Sequence, residues 1–214
     1  MCNYDTRQGK IDPAKSLGSP FLVDLTLKGM IHELGHGFQL PHIGPRKKDA
    51  SGNSLMGPNH ESFRRLVRKR DERVYLSEAA AAMLSQHPSF RGVSDDRRKL
   101  PNVAVMLQRY LANPSKNTIT VSGLVRSNST PVFAIVADES DARPGEYWTK
   151  HYIGKISKDG RYAVTITEPS GDNGTLKTWF VFENGTSTGN GRQRGKAGAL
   201  VKPYRHIGNT YRFK

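Results

Sequence analysis

Residues 32–42 read His32-Glu33-Leu34-Gly35-His36-Gly37-Phe38-Gln39-Leu40-Pro41-His42, and Ser54-Leu55-Met56-Gly57 follows a short distance on. His32 and His36 are four residues apart, so a helix brings both to one face, one turn apart, where two imidazoles can share a metal ion. Leu25, Leu27, Met30, Ile31, Leu34 and Phe38 recur at helical spacing and Asp24 is placed to cap the start. The spacing therefore predicts a helix from Phe21 to Phe38, which Pro41 prevents from continuing. Glu33 lies beside the first histidine, within reach of a water bound at the metal. These residue types in this order suggest zinc-assisted peptide hydrolysis: three neutral imidazoles would leave zinc its full double charge and one open position, and a water there has its pKa lowered toward about 7.

Three histidines at relative positions zero, four and ten, with Glu after the first, match the pattern H-E-x-x-H-x-x-G-x-x-H. On His32, Glu33, His36 and His42, with Met56 as the candidate for a methionine turn, the chain resembles the metzincin superfamily of zinc metallopeptidases. The specific likeness covers roughly residues 22–90, with Val74 to Phe90 similar to the helix that follows the turn in such enzymes. The resemblance implies zinc as cofactor, His32, His36 and His42 as its ligands, Glu33 as general base and Met56 as a soft apolar floor beneath the histidines. It implies a peptidase, more an endopeptidase than an exopeptidase, acting on a protein or peptide substrate in a secreted or cell-surface setting. Position 39 departs from the pattern, with Gln in place of Gly. In the family pattern that glycine lets the chain leave the helix with positive φ and swing the third histidine back; Gln can take the same conformation at a cost of about 1–2 kcal/mol, or Gly35 and Gly37 just upstream can relax the backbone instead. Pro58 and Asn59 follow Gly57, so the metal-contacting tyrosine that some metzincins carry after the turn is not expected.

Only 31 residues precede His32. In the enzymes that the motif resembles, a sheet and a helix come first, and the edge strand of that sheet holds the substrate. The expectation is a metzincin-like zinc-binding region over residues 1–114 that is N-terminally incomplete. The alternative is a non-catalytic protein that binds a glycan or protein ligand and keeps a structural or vestigial zinc site.

From about Asn117 the character of the chain changes. Thr118 to Ser122, Pro131 to Ala137, Arg161 to Thr167 and Leu176 to Glu183 are short β-rich runs separated by clusters of Gly, Asn, Asp and Pro. Residues 115–214 therefore read as an antiparallel β-sandwich accessory domain, and residues 91–116 as a charged connector containing one short element at Val103 to Leu111. The fold class expected is α+β: a helical zinc-binding part followed by an all-β sandwich. Upstream, Phe63 to Arg73 reads as a short helix, and Ser77 as the cap of a strong helix from Glu78 to Gln86, stopped by Pro88. Trp179 lies in an apolar strand and reads as core, while Trp148 is the better candidate for an exposed sugar platform. Asp138, Glu139 and Asp141 could hold calcium, although a solvated acidic loop is the simpler reading.

The net charge of +14 on 214 residues raises the question of nucleic acid. The charge is divided evenly between the two halves and forms no tail. Its one dense run, Arg64 to Arg73, reads as a solvated helix face, so nucleic acid is not an expected partner. A basic surface of this kind also suits acidic polysaccharide or acidic protein. No apolar run approaches a membrane span. The first residues, Met1 to Arg7, are polar, unlike a secretory leader, and the lone cysteine, Cys2, excludes an internal disulfide.

Overall fold

A computed structural model of the chain describes residues 27–47, 53–58, 74–92, 99–169, 171–188 and 200–214. The Asp24 cap, Cys2, the basic run from Arg64 to Arg73 and the short helix read there lie outside the described residues.

Helix α1 spans Leu27–Gly37, and α2 spans Glu78–Gln86, with α3, Pro88–Arg91, directly behind it. Ser77 caps α2 as its sequence predicts, its hydroxyl accepting from Ala80 N at 3.2 Å. Between the helices, β1 (Asn53–Ser54) and β2 (Val74–Tyr75) form a two-residue parallel pair. The rest is antiparallel: β3 Val103–Asn113, β4 Thr118–Ser127, β5 Pro131–Ser140, β6 Lys150–Lys155, β7 Arg161–Ile166, β8 Asn173–Phe182, β9 Ser187–Thr188, β10 Leu200–Ile207 and β11 Thr210–Phe213. One sheet runs β3-β4-β7. The larger runs β11-β10-β8-β5-β6, with β9 added against β8. The molecule is a β-rich α+β structure built on a sandwich.

The small sheet buries one face. Strand β7 alternates strictly, with Tyr162, Val164 and Ile166 inward, and β4 contributes Ile119, Val121 and Val125. Facing them across the sandwich are Ala134, Val136, Leu176, Phe180 and Phe182 of the large sheet. The central strands of that sheet do not alternate between buried and exposed. In β5 residues 134–138 are all buried, and in β8 residues 178–182 are all buried. The odd-numbered set, Ile135, Ala137, Trp179 and Val181, packs on the opposite face against Leu40, Ile43 and Met56, and against Ala79, Ala80 and Met83 of α2. A strand buried on both sides reads as a continuous apolar run, because both of its faces are covered. Trp179 is core, as its sequence context indicated.

Two sequence expectations change. The sandwich begins at Val103, upstream of residue 115, because β3 pairs with β4 from Val103↔Ser127 to Asn113↔Thr118. The 114/115 boundary falls in the tight connection of that hairpin, a 3₁₀ turn at Pro114–Lys116 closed by Asn117 at φ 48°. Strands β6, β10 and β11 were not legible, since charged and polar residues occupy their solvent faces and dilute the alternation.

Of the acidic triplet only Asp141 lies in an exposed turn, while Asp138 and Glu139 belong to β5. Asp138 is buried and accepts from Tyr204 Oη at 2.7 Å, Glu139 accepts from Lys177 at 2.6 Å, and Asp141 accepts from Asn173 N at 3.1 Å. Adjacent residues of a strand point to opposite faces, so the carboxylates do not converge on a cation.

Two buried groups oppose each other in pH. Burial pushes the Asp138 carboxyl up to about 6 despite the bond from Tyr204. Burial holds His151 down at about 4, with Thr149 O beside its Nδ1 at 3.0 Å. The folded chain keeps a proton on Asp138 that the unfolded chain has lost, so this group's contribution to stability falls as pH rises from about 4 to 6. His151 acts the other way: its contribution grows as pH rises from about 4 to 6.5. Asp138→Asn should leave stability near pH 4 unchanged and raise it at pH 7, by on the order of 2–3 kcal/mol. It should also steepen the rise of stability between those values. Urea melts across pH 4–7 check this, and a less stable variant at pH 7 refutes it.

Candidate metal centre

Helix α1 places His32 and His36 as the four-residue spacing requires, with ring centroids 4.6 Å apart and planes nearly perpendicular. The helix then ends sharply. Gln39 adopts φ 66°, the left-handed conformation that its position in the motif demands. Its N–H donates to His36 O at 2.8 Å, and Leu40 N–H to Gly35 O at 3.0 Å, closing the last turn. The chain reverses through Pro41 and brings His42 back, 4.6 Å from the His36 ring and 5.2 Å from that of His32. The ligating nitrogens of His32, His36 and His42 all lie within 4.8 Å of one another. Among the described residues this is the group of histidines and acids arranged to hold a metal ion.

The second nitrogen of two of the rings is hydrogen-bonded. His32 Nδ1 lies 2.9 Å from Leu55 O, and His36 Nδ1 lies 2.8 Å from Leu40 O. A carbonyl oxygen only accepts, so both Nδ1 atoms carry the proton, and both Nε2 atoms present lone pairs. His42 Nδ1 lies 3.0 Å from a Glu146 carboxylate oxygen, a close approach and not an aligned hydrogen bond. His36 Nε2, with its lone pair, and His42 Nε2 stand 3.1 Å apart. A proton on His42 Nε2, or a metal ion in its place, bridges that gap. Two ligands of a tetrahedral zinc at 2.0–2.1 Å are separated by about 3.3 Å, so the donor set fits the ion that the sequence implied.

Beneath the rings lies the turn at Ser54-Leu55-Met56-Gly57, closed by Gly57 N–H to Ser54 O at 2.9 Å. Met56 is fully buried, and its carbonyl accepts from Ile43 N–H at 2.9 Å. Its sulfur packs so close under Gly35 that a Cβ there would collide with it. Glu33 sits beside His32 on α1 with its side chain exposed, as does Leu34.

Sequence reasoning missed the wall of the site. A 3₁₀ turn, Glu146–Trp148, leads from β5 into β6 and lies against the histidine loop. The Tyr147 ring packs on His42 at 3.9 Å and stacks near His32 at 5.9 Å. Gly44 N–H donates to Thr149 O at 2.7 Å, and a Cβ at Gly44 would meet the Trp148 backbone at 2.5 Å, so glycine permits the approach. Trp148 is half-buried, with the Arg143 guanidinium 4.7 Å over its ring, so the side chain read as an exposed platform has one face occupied. Buried Arg46 ties the same loop down: it donates to Glu78 at 3.0 Å and to His151 O at 3.3 Å. An apolar context around Tyr147 would not have singled it out; only the fold brings it to the histidines.

No family model matches the chain, and no curated protein matches it. Among solved structures it is similar to OgpA from Akkermansia muciniphila. Against the wild-type protein in one crystal form the TM-score is 0.69 at 19% identity, over 94% of this chain and 55% of that one. A second crystal form gives 0.66 at 20% identity, over 86% and 50%. The catalytically inactive form, in complex with an O-glycopeptide (glycodrosocin) substrate, gives 0.67 at 19% identity, again over 86% and 50%. The chain thus spans about half the length of these structures, and at this identity the likeness is one of fold.

Gln39 stores the strain of a left-handed non-glycine residue. Gln39→Gly should stabilise the fold by about 0.5–1 kcal/mol, the relief of a cost of about 1–2 kcal/mol less the extra entropy that glycine loses on folding. A urea melt that shows the variant less stable than the parent contradicts this.

Proposed function

We propose that the chain carries the metal centre of a zinc-dependent peptidase of metzincin type. The observation that carries the proposal is the convergence of three histidine rings, with Nδ1 of His32 and of His36 held by a backbone carbonyl and Nδ1 of His42 facing the Glu146 carboxylate. Metal-binding histidines hold their tautomer in this way. His32, His36 and His42 would hold the ion, and Met56 would floor the site. Bound zinc supplies Lewis acidity toward a peptide carbonyl and acidifies water. Glu33 takes a proton from the attacking water and passes it to the leaving amine. Tyr147 shields the rings on the sandwich side.

The substrate is a peptide bond. OgpA was crystallised with an O-glycopeptide, which makes a peptide carrying an O-linked glycan the first substrate to try, with its unglycosylated counterpart beside it. The basic surface suits acidic sugars or acidic segments near the cleavage site. A secreted or cell-surface setting belongs to the same reading.

Purified protein should contain one zinc per chain after refolding with metal, and cleavage by the full-length protein should stop with a chelator. Glu33→Gln should lower cleavage by about 10²–10⁴-fold while zinc content stays the same, because the amide cannot accept the proton and the imidazoles are untouched. Metal analysis and a peptide-cleavage assay check both. Protein that takes up no zinc overturns the metal centre, and undiminished cleavage by Glu33→Gln overturns the role of Glu33.

A further inference from the structure

The three histidines differ in what holds their second nitrogen. For His32 and His36 it is a backbone carbonyl from a neighbouring segment, Leu55 O or Leu40 O. For His42 it is a full carboxylate, and it comes from the sandwich. Glu146 Oε1 lies 3.0 Å from His42 Nδ1, while the Glu146 side chain is 70% exposed and the His42 side chain 7%. The carboxylate stands off the N–H axis, so the pair is a close approach that has still to align into a hydrogen bond.

The backbone beneath Glu146 is fixed on both sides. Trp148 N–H donates to Gly145 O at 3.0 Å and Thr149 N–H to Glu146 O at 3.2 Å, while Thr149 O receives Gly44 N–H at 2.7 Å. Gly44 is two residues from His42, so the 3₁₀ turn and the third histidine are tied together directly. The Tyr147 ring, 3.9 Å from that of His42, prevents it from swinging outward. An exposed carboxylate contributes little packing. What its position offers is an anionic acceptor on the one ligand that lies beyond the helix, on a loop that had to reverse through a strained residue.

We infer that Glu146 is a positioning residue for the metal. It orients His42 and raises the basicity of that imidazole, so that metal affinity depends on the sandwich as well as on the histidine segment. Carboxylates that accept from a ligating histidine act in this way. The inference rests on the metal centre proposed above. It adds that zinc, once bound, links the two parts of the chain and stabilises their contact, since a ligand that binds only the assembled site stabilises it by mass action.

The test is zinc affinity, by competition with a chromogenic chelator, of the parent chain, Glu146→Ala and Glu146→Gln, with thermal melts of each in metal-free and zinc-loaded form. Glu146→Ala should bind zinc about 10–100-fold more weakly. Its metal-free melting temperature should match that of the parent, and its rise on adding zinc should be smaller. Glu146→Gln keeps an oxygen that accepts from Nδ1 and should recover part of the loss. Glu146→Ala that binds zinc like the parent overturns the inference while leaving the metal centre standing. Glu146→Gln as weak as Glu146→Ala, or an affinity loss matched by a loss of metal-free stability, also overturns it. A parent chain that binds no zinc removes the metal centre and this inference together.

Discussion

Both faces of the central strands of the large sheet are buried, and the rest of the molecule follows from that constraint. Strands β5 and β8 send alternate residues into two different cores. Ala134, Val136, Phe180 and Phe182 close the sandwich. Ile135, Ala137, Trp179 and Val181 form the floor on which the helical segment lies. Strands so covered have no solvated face, and removing either layer would expose a continuous apolar surface to water. The helical segment is therefore more than an appendage of the sandwich: through Leu40, Ile43 and Met56 it supplies the cover of one face.

The same packing makes the histidine site possible. Helix α1 has 11 residues, a length that is marginal on its own in water. The loop that carries His42 holds no regular structure. What fixes them is the layer below, where Leu40, Ile43 and Met56 are essentially inaccessible, and the bonds that follow from it, Ile43 to Met56 and Gly44 to Thr149. Once these are set, the carbonyls of Leu40 and Leu55 lie where two Nδ1 atoms need acceptors. The site's order is borrowed from the core of the sandwich, and the 3₁₀ turn at Glu146–Trp148 completes its wall.

Much of this was legible beforehand where the signal is local. The four-residue spacing of His32 and His36 fixes their common face because a helix repeats at that interval. Positive φ at position 39 is what the resemblance implied, with Gly35 and Gly37 as the alternative, and Gln39 itself adopts it at 66°. Trp179 in an apolar run was core. The apolar series Phe133 to Ala137 and Trp179 to Phe182 even carried the double burial, since an unbroken run marks a strand covered on two sides. It was read only as a strand of a sandwich, and so the second core went unseen. Asp138 was misread for the opposite reason: in sequence it is one of three nearby acids, and the hydroxyl that buries it, on Tyr204, comes from a strand whose alternation was too diluted to recognise.

The sequence by itself determined the three histidines and their spacing, because these depend on residues within one turn of helix or one short loop. It determined the strand-rich character of the second half through composition and turn chemistry. Only the tertiary structure decided what stands around the histidines. Glu146 and Tyr147 reach them because they lie on the connection between β5 and the edge strand β6 of a sheet whose other face the histidine segment must cover, and no local periodicity encodes which loop of a sandwich lands beside which helix. That choice is made by the burial of apolar surface between segments far apart in the chain, where the driving force is non-directional and the partner is fixed by shape.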